Sequence, residues 1–556
     1  MKNALCFTIC ILLLLSSVSG CGKNNTGQRR QTTDTASDSP ITFSFFDIDQ
    51  NQNYENMQSV VGRRITKLTG VTLKYEFPVG DAAQKISLMA ASGDYPDLIF
   101  AGQNVGTLVS AGALLDLTDL IEQYGPNIKK MYGKYLIRNR YSKEDKSIYF
   151  LGSDPVNEEK MFPMTGFELQ HAVVKELGFP KMRTIYDLEN AVRNYVRKHP
   201  TIDGQKTIGM SLVPEDWRFS VSITDPSNLA TGHPDDGEFC IDPKTYEAKL
   251  HYFKEGNKAY FKWLNKMYNE GLLDPESFVQ KYDQYQAKIA SGRVLALSDQ
   301  YWSFELPEKA LRDLGKPERT YGMYPLTISE NTKHADFQKS GFSGGIGISI
   351  SKDCKDPVRA IKFLDWMCTD EAQVLINWGI EGIHYKVKNG KRIIPHSEWR
   401  KRNTDPNYFK NTGIDVYVYP FPRHGDGALD PTGNTYTTIT ENTLTEKYSD
   451  IEKEVLKHYG AKTWKDLYPK ASEFMEKPWG AAWQINVPQY SELNLINQKL
   501  RDIIRSKIPV IVTSPAYNFE SEYSSFLKQL EDADVHKAEK EFTKLVKERV
   551  SLWKDK

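Results

Sequence analysis

The alternation of apolar and polar residues divides the chain before any other property does. Behind Lys2, residues 4–15 form an unbroken apolar run. A bilayer span needs roughly 20 apolar residues, so this run predicts a signal-peptide core rather than a membrane helix. Residues 22–40 hold Gly, Ser, Thr, Asn, Gln and charges, with Ala36 the only small apolar side chain among them. Such a stretch buries too little surface to offset its ordering entropy, and it predicts a flexible tether, roughly 60 Å long when extended. Element-forming patterns begin at Ile41. Residues 41–47 read as a buried strand, and Tyr54, Met57, Val60, Val61, Ile65 and Leu68 fall on one helix face that ends at Gly70. A strand at 71–77 follows, then a helix at 81–92 stopped by Gly93, then a third strand at 97–101 and an amphipathic 116–123. Alternation of this kind predicts a mainly parallel sheet covered by helices. Near the end, Phe526, Leu530, Phe542, Leu545, Val546 and Val550 mark amphipathic helix faces.

Composition narrows the possibilities. A chain of 556 residues predicts more than one domain. Lys+Arg and Asp+Glu stand at 72 each, which argues against a nucleic-acid partner or a polybasic membrane patch. After the apolar run comes Val18-Ser19-Gly20-Cys21, the pattern of a bacterial lipobox: small residues let a peptidase reach the bond before Cys21, whose thiol takes the lipid. One acyl chain holds only marginally, at about 0.8 kcal/mol per buried CH₂, whereas two or three anchor stably. The expected location is therefore the cell membrane, lipid-anchored at Cys21 on its extracytoplasmic side. Beyond Cys21 only Cys240, Cys354 and Cys368 remain, so at most one bridge is possible and its partners stay open. Aromatic residues make up 12% of the chain, enough to supply stacking surfaces as well as a core.

Three blocks then carry a resemblance. They are Gly93-Asp94-Tyr95-Pro96-Asp97 with the later Ala113-Leu114-Leu115-Asp116-Leu117-Thr118; Tyr268-Asn269-Glu270-Gly271-Leu272-Leu273-Asp274-Pro275; and Gly347–Ser351 running into Asp356-Pro357 and Trp378-Gly379-Ile380-Glu381-Gly382-Ile383-His384-Tyr385. In this order they resemble the family 1 extracellular solute-binding proteins, in particular the large lipoproteins related to LplA and YtcQ. The resemblance implies an α/β, two-lobe periplasmic-binding-protein-like fold of type II, with mainly parallel sheets flanked by helices and lobes joined by crossing segments. It places a signal peptide at 1–20, a tether at 21–40, lobe I at 41–160 and 340–400, and lobe II at 161–339 and 401–556 with an extra helical C-terminal region. It further implies a monomeric receptor that captures an oligosaccharide in the cleft and delivers it to an ABC transporter permease, with no cofactor and no chemistry of its own. A surface glycoside hydrolase or lyase, and a sensor partnering a membrane kinase, are the alternatives.

Sugars are held by apolar faces stacked on ring C–H surfaces and by polar groups that satisfy hydroxyls. Loops at the C-terminal ends of strands in open α/β sheets are where ligands bind. That rule selects Asp49 and Gln50 after the first strand, Gln103 and Asn104 after the third, Trp217 and Arg218 after 208–213, and Tyr301 and Trp302 after 294–298. Tyr385, closing its block, joins the set; Tyr419, Phe421, His424 and Asp426 lie in a Pro/Gly-rich stretch read as rim, while Trp479 and Trp483 suit packing equally well. Gly341-Phe342-Ser343-Gly344-Gly345 satisfies G-x-S-x-G, but a nucleophile elbow needs a helix directly after the Ser, and residues 346–351 alternate like a strand. It reads instead as a crossing segment. Several members of the resembled family carry a calcium loop; the corresponding His199–Lys206 stretch offers one carboxylate, too few oxygen ligands for Ca²⁺, so no metal is expected there.

Overall fold

Period-two burial in the first strand sets up the architecture of the computed structural model, which describes residues 39–51, 53, 54 and 56–554. Cys21, the signal run and most of the tether lie outside the described residues. Nine strands build two main sheets. They are β1 (Ile41–Asp47), β2 (Val71–Glu76), β3 (Leu98–Phe100), β4 (Leu151–Gly152), β5 (Thr165–Gln170), β6 (Ile208–Ser211), β7 (Val294–Gln300), β8 (Tyr321–Tyr324) and β9 (Gly347–Ile350). On β1, Phe43 and Phe45 enter one core while Phe46 enters another with Ile86 and Met89, so this sheet is covered on both faces.

The first sheet has the order β2-β1-β3-β9-β4. β1 runs parallel to β2 and β3, as the early βαβα pattern requires, whereas β9 runs antiparallel to both β3 and β4. The second sheet, β8-β5-β7-β6, pairs β7 parallel with β6 and antiparallel with β5, and β8 antiparallel with β5. The antiparallel strands are those that enter from the other lobe or return along the same one. Helices start and stop where the sequence punctuates them. Asp81 caps the helix Ala82–Ser92 by accepting from the Gln84 N–H, and Gly93 ends it with φ of 72°. Asp356 caps Pro357–Met367 in the same way, with Pro357 in the first turn.

The chain crosses between the sheets after β4, returns before β9, and crosses again between Phe421 and Ile451, whose side chains belong to different cores. This moves an expected boundary. Residues 401–556 were assigned to lobe II, but Tyr408, Ile414, Val416, Tyr417 and Phe421 pack into the lobe I core with Phe43 and Phe45. Their apolar spacing is too irregular to reveal which core they join. The C-terminal helices Glu492–Thr513, Phe519–Asp532 and Val535–Lys554 fill the second core with Ile504, Ile508, Phe526, Leu530 and Val546. Among the described residues no helix is long and apolar enough to cross a membrane.

The crossing segments meet at Asp154. Its carboxylate accepts from the Ser343 N–H at 3.2 Å and from Gln484 Nε2 at 3.0 Å. The Ser343 hydroxyl accepts from the Ala481 N–H at 2.9 Å, and β9 rather than a helix follows it, so the G-x-S-x-G stretch is built as a joint between lobes. Gly344, at φ of +61°, leaves no room for a side chain: a Cβ there would lie 2.3 Å from the Arg138 carbonyl. At the stretch compared with calcium loops, Thr201–Ile202 and Gln205–Lys206 pair as a hairpin through Asp203 and Gly204, both at positive φ. The Asp203 carboxylate is engaged by Lys316 Nζ at 2.6 Å.

Candidate functional site

Two loops bring side chains from the two lobes to one place. In lobe I, β1 ends on Asp47, whose buried carboxylate accepts from the Asp49 N–H at 2.9 Å and so fixes the turn that presents Asp49. Burial pushes the Asp47 carboxyl up to about 8. The Gln50 amide donates to the Pro78 carbonyl at 2.9 Å, tying this loop to the one that follows β2. Gly102–Asn104 forms a single 3₁₀ turn directly after β3, with Gln103 exposed and Asn104 half-buried. Tyr419 packs edge-on against Phe100 at the end of β3, with ring centroids 5.2 Å apart, and the Arg423 guanidinium lies 5.6 Å from the Tyr419 ring.

In lobe II, the loop after β6 carries Trp217 and Arg218, and β7 runs directly into the helix Tyr301–Asp313. The two indoles stand together, centroids 5.4 Å apart and tilted by 45°. Trp217 is 48% exposed and Trp302 41%, which is unusual for the largest apolar side chain and leaves apolar surface of both open to a partner. Arg218 braces this pair: its guanidinium sits 4.5 Å from the Trp217 ring and 4.0 Å from that of Tyr282. The Trp302 N–H donates to Gln300 Oε1 at 3.2 Å.

Electrostatics join these groups across the gap. Asp49 reaches solvent, yet protein on several sides removes water from it and raises its carboxyl, an effect opposed by the Tyr419 hydroxyl and by Arg218 of the other lobe. Burial likewise raises Glu305, one turn beyond Trp302, with Lys447 and Arg312 opposing it and Asp415 of lobe I reinforcing it. Asp415 is itself raised by burial against the pull of Arg402, which bonds it at 3.0 Å, and of Lys447. Further along, burial raises Glu158, with Lys160 and Arg423 opposing. Side chains that are solvent-exposed but desolvated, drawn from two cores and coupled in sequence, define a cleft. One wall offers paired indoles, the other carboxylates and a phenol: apolar faces opposite hydrogen-bonding groups.

Residues 49–374 match the family model described as bacterial extracellular solute-binding protein. The chain belongs to that family. This solute-binding protein is 24% identical over 344 residues to the lipoprotein LipO of Bacillus subtilis, a match covering 59% of this chain and 64% of LipO. It is 27% identical over 255 residues to FusA of Streptococcus pneumoniae, described as a fructooligosaccharide ABC transporter substrate-binding protein, covering 42% of this chain and 44% of FusA. The chain thus spans less than two thirds of the length of these curated relatives. Solved structures agree in fold over nearly the whole body. An EF-hand mutant of FusA in complex with fructo-nystose aligns with a TM-score of 0.66 at 17% identity, over 91% of this chain and 99% of that one. The alginate-binding protein AlgQ2 without calcium ion aligns at 0.64 and 16% identity, over 92% and 99%.

Within the solute-binding protein, Asp49, Trp217, Arg218 and Trp302 come together at the cleft, and Gln50, Gln103 and Asn104 sit at the same strand ends. Two of the expected residues fall elsewhere. The Tyr301 ring packs against Phe162 and Phe304, at 5.6 and 5.7 Å. Tyr385 is turned away by Gly379 and Gly382, both at φ of +81°, onto Trp378, where it lines a surface hollow of about 590 Å³ with Arg64, Glu371 and Arg392. Of the rim residues, Tyr419 and Asp426 reach the cleft, whereas Phe421 is core and His424 stacks on Tyr436. Trp479 is packing, its indole N–H bonded to Asp236. The reading missed Asp154, Glu158, Glu305, Asp415, Arg423 and Lys447, because single charged residues in loops carry no local signal of what faces them.

Proposed function

We propose that this protein is a lipid-anchored receptor that captures an oligosaccharide between its two lobes and presents it to the permease of an ABC importer. The observation that carries this reading is the exposed Trp217–Trp302 pair of lobe II, braced by an Arg218 that acts electrostatically on Asp49 of lobe I. Paired indoles stack on sugar rings, and the opposite carboxylate and phenol take up hydroxyls when the lobes approach. Lipid on Cys21 and the tether up to Pro40 keep the receptor beside its permease, and the body works as a monomer. That FusA is described as serving fructooligosaccharide uptake agrees with this ligand class. The receptor performs no chemistry on what it binds. A thermal-shift screen of the full-length chain in detergent against an oligosaccharide panel tests the reading. A ligand at a hundredfold its Kd should add roughly 2.7 kcal/mol of stability, with the sugar recovered intact. No shift across the panel, or catalytic release of shorter products, would sink it.

A further inference from the structure

Beyond the walls already described, lobe II holds a carboxyl group that the fold leaves without a donor. Asp225 is 8% exposed, its Oδ1 is buried without a hydrogen-bond partner, and among the described residues no donor engages the rest of its carboxyl. A buried carboxyl in that state is destabilising unless a donor arrives from outside. Its acidic neighbours are differently placed. Asp236 is saturated by Lys477 at 2.8 Å, by the Trp479 indole and by the Ala482 N–H at 3.0 Å. Glu238 accepts from the Tyr252 hydroxyl at 2.6 Å and the Thr224 hydroxyl at 3.1 Å, and its other bond, at 3.1 Å, joins His251 Nε2. Asp235 is half-buried, and its carboxylate takes only the N–H of Gly237, at 3.2 Å. Asp225 and Asp235 are therefore the two carboxyls of this acidic group with open acceptor positions.

Their place is beside the joint between the lobes. Asp236, next to Asp235, accepts from the Ala482 N–H at 3.0 Å, and the adjacent Ala481 N–H binds Ser343 in that joint; Thr224, next to Asp225, donates to Glu238 of the same acidic loop at 3.1 Å. Resting on the oligosaccharide reading above, we infer that Asp225 and Asp235 form a subsite that accepts hydroxyl donors of an uncharged oligosaccharide and rejects uronates. A hydroxyl satisfies a carboxyl oxygen without adding charge, whereas a uronate carboxylate would bring a further acceptor and a charge to a site already short of donors. Burial, with Asp235, Glu238 and Asp236 adding to it, holds the Asp225 carboxyl well above the usual range, as expected where compensation is missing.

The test is titration calorimetry of the full-length chain with neutral fructo- and manno-oligosaccharides and with oligogalacturonates of matched length. The expected result is at least tenfold tighter binding of a neutral sugar than of any uronate. Asp225→Asn and, at the more accessible position, Asp235→Asn should each weaken the neutral sugar at least fivefold and narrow its advantage over the uronate. A merely structural role would lower the melting temperature without moving that ratio. Uronates binding as tightly as neutral sugars, or both variants keeping the wild-type ratio, would overturn the subsite while leaving the receptor intact. Binding of neither panel would instead remove the receptor reading on which it stands.

Discussion

The lobe II wall of the cleft is aromatic and open, with Trp217 and Trp302 nearly half exposed, whereas the lobe I wall is polar and hemmed in, with Asp47 buried behind Asp49 and Tyr419 resting on Phe100. The first surface is held in place before any ligand arrives, with the Arg218 guanidinium set against the Trp217 ring. The second has strained solvation, since its carboxyls lose water before any ligand replaces it. The difference implies a division of labour. Stacking supplies most of the affinity and lobe I supplies orientation, because apolar contact is gained on burial while polar contact mainly exchanges one hydrogen bond for another.

Breaking the aromatic wall should therefore cost most. Trp217→Ala with Trp302→Ala is expected to weaken sugar binding by about 3 kcal/mol, or roughly two orders of magnitude in Kd, measured by calorimetry. The polar wall should show itself next, in stability. Because the folded Asp47 carboxyl titrates at about 8 rather than 3.8, its protonated form favours folding. Stability from this group is fully present below about pH 4 and is lost progressively as pH rises from there through about 8. In denaturant titrations Asp47→Asn should flatten that decline. Asp49→Asn, which leaves the indoles untouched, should raise Kd about tenfold while preserving the melting temperature of the free protein. The smallest effect belongs to Tyr385→Ala: binding within about twofold of wild type, with some loss of stability from its contact on Trp378.

The contrast also marks what the chain discloses in advance. Elements with their own periodicity and punctuation were legible: β1, the Asp81–Gly93 helix and the Asp356-capped helix follow from local propensity and capping. So was the exposure of Trp217 and Trp302, because a tryptophan in a polar loop after a strand has no obvious core to join. Tyr385 was misread for the opposite reason: its block is structural, and two glycines at positive φ send the ring away from the cleft. The same holds for Asp97, whose carboxylate binds Ser44 of β1 and the Lys355 N–H and ties three segments together rather than touching a ligand. Asp415, Glu305 and Lys447 meet across more than a hundred residues of chain, and only the folded topology brings them together. The position of 401–421 was hidden for a similar reason, since membership of a core depends on which lobe the chain has last crossed into.

Hydrogen–deuterium exchange, with and without the oligosaccharide that gives the largest thermal shift, tests the two-walled cleft most directly. The account predicts that ligand slows exchange in both walls at once, in residues 48–51 and 417–424 of lobe I and in 214–220 and 300–306 of lobe II. Protection confined to one lobe, or appearing at the hollow around residues 379–392, would contradict it.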